Sequence, residues 1–102
     1  MESNSLLRFL GLMKKAGSIS VSESNCEDDI RSGRSCLLLF AGDCSGRARS
    51  RMEKIAASYK VRTILLPFTK SELAAALGTG SCAMISINDH GFSDSFLTKY
   101  KV

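Results

Sequence analysis

Cys44 is the residue whose surroundings come nearest to a catalytic pattern. It precedes a segment that contains Arg47, Arg49 and Arg51, and a thiolate in a loop before a helix N-terminus can be stabilised there. A phosphatase-type loop needs an arginine six positions after its cysteine, but Ser50 occupies that position. The pattern therefore predicts a loop cysteine without a catalytic role.

Two glycine pairs lie in predicted loops, where nucleotide-binding motifs occur. The pair Gly42 and Gly46 lacks the Gly-Lys-Ser/Thr ending of a P-loop. The segment Gly78-Thr79-Gly80 follows a predicted helix rather than a strand, which is the wrong order for a dinucleotide-binding fingerprint. Neither pair indicates a nucleotide cofactor.

The cysteines and the single histidine do not form a metal-binding pattern. The four cysteines are widely spaced and include no Cys-x-x-Cys pair, so free thiols are expected. Cys36 and Cys82 lie within apolar runs and are predicted to be small core residues. His90 has no second metal-binding candidate nearby in sequence, and Asp89 beside it is more simply a helix cap. We expect no metal, no cofactor and no enzymatic activity.

The 102 residues suffice for a single domain, predicted to span residues 1–102. No apolar run approaches the roughly 20 residues that a membrane-spanning helix needs. The N-terminal segment lacks the basic, apolar and small-residue regions of a secretion signal. These features predict a cytoplasmic protein without membrane association.

Positive charge is concentrated in the middle of the chain. Residues 31–70 contain nine basic and two acidic side chains, a net charge of +7, whereas the whole chain carries +4. Such an asymmetry is typical of a basic face that contacts phosphates, although an exposed surface with a chance imbalance explains it equally well. Arg47, Arg51 and Lys54 share one helix face and form a secondary candidate patch, for which a solvated helix face is the stronger interpretation.

Helical and strand patterns alternate along the chain. Apolar spacing and capping residues predict five helices: from about Leu6 to before Gly17, from Ser22 to about Ser32, from Gly46 to about Tyr59, from Thr69 to about Gly78, and from Asn88 or Asp89 to about Tyr100. The predicted strands are Ile19–Val21, Cys36–Phe40, Arg62–Leu66 and Cys82–Ile87. Alternation of this kind predicts an α/β fold, a three-layer α/β/α sandwich with about four strands.

Several segments of the chain, taken in sequence order, resemble the L-seven-Ae family of ribosomal and kink-turn RNA-binding proteins. The resemblance is strongest to the short bacterial members of that family. The resemblance covers about residues 5 to 92. Its anchors are Leu10-Gly11-Leu12 with Lys15-Ala16-Gly17, Ile30-Arg31-Ser32-Gly33, the run Leu37 to Asp43, and Pro67 to Leu73 with Ala76-Leu77-Gly78. The resemblance implies a mixed four-stranded sheet. It also implies an RNA site between the start of the second helix (residues 22–28) and the loop before the last strand (residues 78–83).

The second helix departs from the family's motif, which has glycine, a small or polar residue, asparagine, glutamate, two variable residues and lysine. Aligned without a gap, Ser22 takes the glycine slot and Ser24 the asparagine slot. Asn25 then takes the glutamate slot, and Asp28 takes the lysine slot. A shift by one residue restores Asn25 to the asparagine slot but places Asp29 in the lysine slot. A carboxylate only accepts hydrogen bonds and repels phosphate, so this position should weaken RNA binding.

The resemblance and the basic segment together predict a protein that binds structured, kink-turn-like RNA. Ribosomal RNA is one candidate, and we expect a monomer. The predicted RNA contacts are Ser22, Ser24, Asn25, Arg31, Arg34, Thr79, Gly80 and Ser81. The alternative is a protein-interaction module that kept the fold but lost kink-turn recognition. In that case the acidic run Glu27-Asp28-Asp29, of which Glu27 and Asp29 are predicted to be exposed, would meet a basic partner.

Overall fold

The computed structural model describes the backbone of residues 3–100 and the side chains of residues 5–100, so the two residues at each end of the predicted domain lie outside it. Five helices and four strands alternate. The helices are α1 (Ser3–Lys15), α2 (Glu23–Arg31), α3 (Gly46–Ser58), α4 (Lys70–Leu77) and α5 (His90–Tyr100). The strands are β1 (Ile19–Ser20), β2 (Leu37–Phe40), β3 (Arg62–Leu65) and β4 (Met84–Ile87).

The four strands form one mixed sheet in the order β1-β4-β2-β3. Strands β2 and β3 are parallel and are connected through α3, whereas β4 runs antiparallel to both of its neighbours. The central strand β2 is buried on both faces along its whole length, from Leu37 to Phe40. This explains why its sequence is continuously apolar instead of alternating. The predicted fold class is confirmed.

Helices cover both faces of the sheet, and each face has its own apolar core. On one face α1, α4 and α5 pack against alternate strand residues, including Leu37, Leu39 and Ile85. On the other face α2 and α3 pack against Leu38, Phe40 and Met84. The period-two alternation of strand side chains therefore divides the core into two layers.

Local signals explain where α2 and α4 begin and end. The Ser22 hydroxyl caps α2 by accepting a hydrogen bond from the Asn25 N–H at 3.1 Å. Helix α4 has a complete capping box, because Thr69 Oγ1 accepts from the Glu72 N–H while the Thr69 N–H donates to Glu72 Oε1 at 2.8 Å. It ends at Gly78, whose φ of 70° is left-handed and therefore favours glycine.

The residues that follow β2 are joined to the start of α4 by hydrogen bonds. The Gly42 N–H donates to the Phe68 carbonyl at 2.7 Å, and Asp43 Oδ1 accepts from the Lys70 N–H at 2.7 Å. The acidic residue after the central strand therefore stabilises the N-terminus of a helix, where negative charge is favourable. Among the helices of residues 3–100, none is long and apolar enough to cross a membrane.

Candidate nucleic-acid interface

The two segments predicted to bind RNA lie at the same end of the sheet. Strands β1 and β4 are antiparallel, with Ile19 opposite Ile87 and Ser20 opposite Ser86. The chain that leaves β1 for α2 and the chain that enters β4 at Met84 therefore meet at one end. The Ala83 carbonyl accepts from the Ala41 N–H at 2.9 Å, which fixes the last residue of the second segment beside the end of β2.

The first turn of α2 presents polar groups to solvent. Ser22, Ser24 and Asn25 are all exposed. The Ser22 oxygen already accepts the capping hydrogen bond, but its hydroxyl proton remains available to a phosphate. Within the described residues, the side chains of Ser24 and Asn25 form no hydrogen bond, so both can pair with a ligand. The Asn25 amide can donate and accept together, as recognition of a base edge requires.

The loop before β4 offers backbone N–H donors, but not every N–H group of the loop is free. The Thr79 N–H donates to the Ala74 carbonyl at 3.0 Å and completes the end of α4, so it is not free for RNA. The Thr79 hydroxyl donates to the Ser81 carbonyl at 3.4 Å. Gly80 and Ser81 are exposed, and their N–H groups have no acceptor among the described residues. The loop therefore offers two exposed N–H groups to an anionic ligand.

Most of the acidic charge on α2 is neutralised by arginines. Arg51 of α3 contacts both Glu23 and Glu27, at 3.0 and 2.6 Å, and Arg31 contacts Glu27 at 2.8 Å. Hydrogen bonds from Arg51 and then Arg31 lower the pKa of Glu27. Arg51 therefore belongs to the contact between α2 and α3, and the basic stripe predicted with Arg47 and Lys54 is interrupted at its centre.

Asp28 is exposed and has no ion pair within the described residues. It is therefore the one carboxylate of the acidic run whose charge is left to meet a ligand. A free carboxylate at this position would repel the phosphates of an RNA bound at this end of the molecule.

The expectation that Asp29 is an exposed helix residue was wrong. Asp29 is only 5% exposed, and its carboxylate accepts hydrogen bonds from the Ser20 hydroxyl, from Asn88 Nδ2 at 2.8 Å and from the Arg34 guanidinium at 2.9 Å. Burial raises the pKa of Asp29, but the hydrogen bonds from Ser20, Asn88 and Arg34 outweigh burial, so the pKa lies below its usual value. Glu27 is half-buried between its arginine partners and is also not simply exposed.

Arg31 and Arg34 lie apart from the other predicted RNA contacts. Arg31 is at the C-terminal end of α2, about 12 Å along the helix axis from its first residue. It is paired with Glu27 and lies 6.0 Å from the ring centroid of Tyr59, while Arg34 is paired with Asp29. The structure thus brings together the α2 start and the loop before β4 but not these two arginines, whose RNA contacts stay a prediction.

The surroundings of Cys44 and Cys36 disfavour the thiolate form of each residue. Burial raises the pKa of the Cys44 thiol, which disfavours the reactive thiolate. Cys82 is buried as predicted, but Cys36 is half-buried, because it precedes β2 and faces α5. Its Sγ lies 3.5 Å from His90 Nδ1, a contact that sequence reasoning missed because 54 residues separate the pair. Burial and the nearby carboxylates of Asp89 and Asp94 raise the pKa of Cys36.

No protein-family model matches the sequence, and no curated protein matches it. The solved structures that are similar in fold include the following two. A protein of unknown function from Bacillus halodurans has a TM-score of 0.87 at 20% identity, covering 95% of this chain and 97% of that one. The 15.5kD RNA binding protein of Giardia lamblia has a TM-score of 0.77 at 15% identity, covering 97% of this chain and 87% of that one. At these identities the similarity shows a shared fold.

Proposed function

We propose that the protein binds structured RNA at the end of the sheet where α2 begins and β4 is entered, and that it catalyses no reaction. The observation that carries this proposal is the meeting of two exposed segments with unengaged hydrogen-bonding groups. The groups are the side chains of Ser24 and Asn25 on α2 and the N–H groups of Gly80 and Ser81 on the loop. Side-chain hydroxyls, amides and backbone N–H groups are common partners of phosphates and base edges.

Two further observations support RNA as the ligand. A Giardia lamblia protein with a similar fold is an RNA binding protein. Five cations of the basic segment have no ion pair among the described residues and leave a field that attracts polyanions: Arg47, Lys54, Lys60, Arg62 and Lys70. Within the proposal, the ligand is a kink-turn-like RNA, in a ribosomal or other ribonucleoprotein particle of the cytoplasm, and the protein binds it as a monomer.

The structure gives less support to a basic protein partner for the acidic helix. Glu23, Glu27 and Asp29 are already paired with arginines of this chain, which leaves Asp28 as the free carboxylate of α2 among the described residues. One unpaired carboxylate is a weak basis for a charged protein interface.

The test is binding of the purified protein to a labelled kink-turn RNA, with a control RNA that lacks the tandem G·A pairs. Asp28→Lys restores a cation at the lysine slot, so we expect it to tighten kink-turn binding by about tenfold. Asp94→Lys on α5 is the matched control, because Asp94 is also exposed and the charge change is the same. It should alter binding less than about twofold.

Two results would contradict the proposal. The first is weak and equal binding of the wild-type protein and of Asp28→Lys to both RNAs. The second is equal tightening by Asp28→Lys and Asp94→Lys, which would reflect net charge instead of a defined site.

A further inference from the structure

A groove runs between α1 and α4 on the face of the sheet opposite α2 and α3. The two helices approach closely at Gly11, where an added Cβ would lie 3.3 Å from the Ala76 carbonyl oxygen. Beside this contact lies an open cavity of about 670 Å³. Gly11, Ala75 and Ala76 have small side chains or none, so they form an apolar floor between the longer side chains that line the groove.

The rim of the groove is basic. Arg8, Lys14 and Lys15 line it, and no acidic side chain among the described residues does. All three cations are exposed and have no ion pair within the described part of the chain. Arg8 and Lys15 are separated by two helical turns, about 10 Å along α1.

Leu12 stands at the centre of this surface. It is 59% exposed, whereas the other apolar residues of α1 with described side chains are buried or half-buried. It lines the groove toward α4 and also a second hollow of about 260 Å³ on its other side, beside Phe9 and Lys99. Arg8 and Leu12 line both hollows, so the two hollows form one surface in which an apolar side chain is bordered by cations.

The stability of the fold explains the positions of only some of these cations. Lys14 and Lys15 are in the last turn of α1, where cations counter the negative end of the helix dipole. That effect does not account for Arg8, which lies in the middle of the helix, or for the exposure of Leu12.

We propose that this groove binds an acidic amphipathic helix of a partner protein. The apolar floor and Leu12 match the apolar face of such a helix, and its flanking carboxylates match Arg8 and Lys15. RNA phosphates would satisfy the cations but would leave Leu12 and the floor against a charged backbone. The proposal does not depend on RNA binding, because the groove lies on the α1, α4 and α5 face of the sheet. It meets the loop before β4 only at Gly78, which is none of the proposed RNA contacts.

The probe is a fluorescent peptide of about 14 residues, about four helical turns, stapled on its solvent side. Leucine and alanine recur every third and fourth position, with glutamate on both flanks. One control peptide has glutamine in place of glutamate, and another has the same composition in scrambled order. We expect the acidic helix to bind, the glutamine helix to bind at least about tenfold more weakly, and the scrambled peptide not to bind.

Protein variants locate the site. Arg8→Glu and Leu12→Ser should each weaken binding of the acidic helix by about tenfold or more. Lys54→Glu on α3 is the matched control for Arg8→Glu, because it is exposed on the opposite face of the sheet, and it should change binding less than about twofold. Circular dichroism of each variant checks that the fold is retained.

Several results would overturn the proposal: no binding of the acidic helix, equal binding of the scrambled peptide, or equal effects of Arg8→Glu and Lys54→Glu. If Arg8→Glu weakens RNA binding while no peptide binds, the groove is a nucleic-acid surface and our assignment is wrong. The RNA proposal is tested separately by Asp28→Lys, which lies on the other face and should leave peptide binding unchanged.

Discussion

At the scale of single residues, Asp29 connects three parts of the fold. Its carboxylate accepts from Ser20 on β1, from Asn88 after β4 and from Arg34 after α2. The charges of the acidic run predicted an exposed helix face, whereas the helical spacing of Asp29 relative to apolar residues indicates burial. Asp29 lies three residues after Cys26 and directly before Ile30, and all three are buried. Its partners are far apart in sequence, so they could not be inferred from local pattern.

Replacing Asp29 should change both stability and its dependence on pH. The pKa of Asp29 is below its usual value, so its ionised form is stabilised by folding and is lost as pH falls through the lowered pKa. We expect Asp29→Asn to lower the free energy of unfolding at pH 7 by about 2 kcal/mol, because three donors lose a charged acceptor. The variant should also lose less stability than the wild type between about pH 5 and about pH 2.

Urea unfolding at a series of pH values measures both effects. Asp28→Asn is the matched control, because it changes the neighbouring carboxylate, which is exposed and unpaired within the described residues. An equal acid dependence in Asp29→Asn and the wild type would show that the buried carboxylate does not contribute as described.

At the scale of elements, sequence pattern located all nine helices and strands of the described residues, with differences at their ends. Strand β1 is one residue shorter than predicted, and the chain at Cys36 and Cys82 lies just outside the strands. Capping signals were reliable because they depend on neighbouring residues: Thr69 opens α4, and Asp89 Oδ1 accepts from the Phe92 N–H at the start of α5. The pairing of Cys36 with His90 depends on how α5 packs, which no local signal reveals.

The close packing of the residues after β2 against the segment before α4 requires a glycine at position 42. A Cβ added to Gly42 would lie 2.9 Å from the Leu66 carbonyl oxygen, a backbone atom that cannot move without displacing the end of β3. We expect Gly42→Ala to destabilise the protein by about 1–3 kcal/mol.

Thermal unfolding measures the effect, with Gly46→Ala as the matched control. A Cβ at Gly46 has no atom within 4 Å and lies at the start of α3, so that variant should be neutral or slightly stabilising. Equal melting temperatures for the two variants would contradict the steric argument.

At the scale of the whole molecule, the two proposed surfaces use charge differently. The end of the sheet between α2 and the loop before β4 offers mainly uncharged donors, so its affinity for RNA depends on cations elsewhere in the basic segment from Arg31 to Lys70. The α1–α4 groove combines cations with an apolar floor and an exposed leucine. The sequence indicated the first surface through resemblance and net charge. It could not indicate the second, because the groove exists only where residues 8–15 pack against residues 75–78.

The affinities for RNA and for the acidic helix should therefore depend differently on salt concentration. If RNA binding neutralises about three phosphates, raising monovalent salt from about 50 mM to about 200 mM should weaken it by about 20- to 40-fold through the loss of counterion release. The acidic helix should weaken by less than about fivefold over the same range, because burial of Leu12 and the groove floor is not screened. Fluorescence anisotropy at several salt concentrations gives both slopes under identical conditions. RNA binding that is insensitive to salt would mean that the basic segment does not contact phosphates. A peptide slope as steep as that of RNA would mean that the groove acts only through its charge.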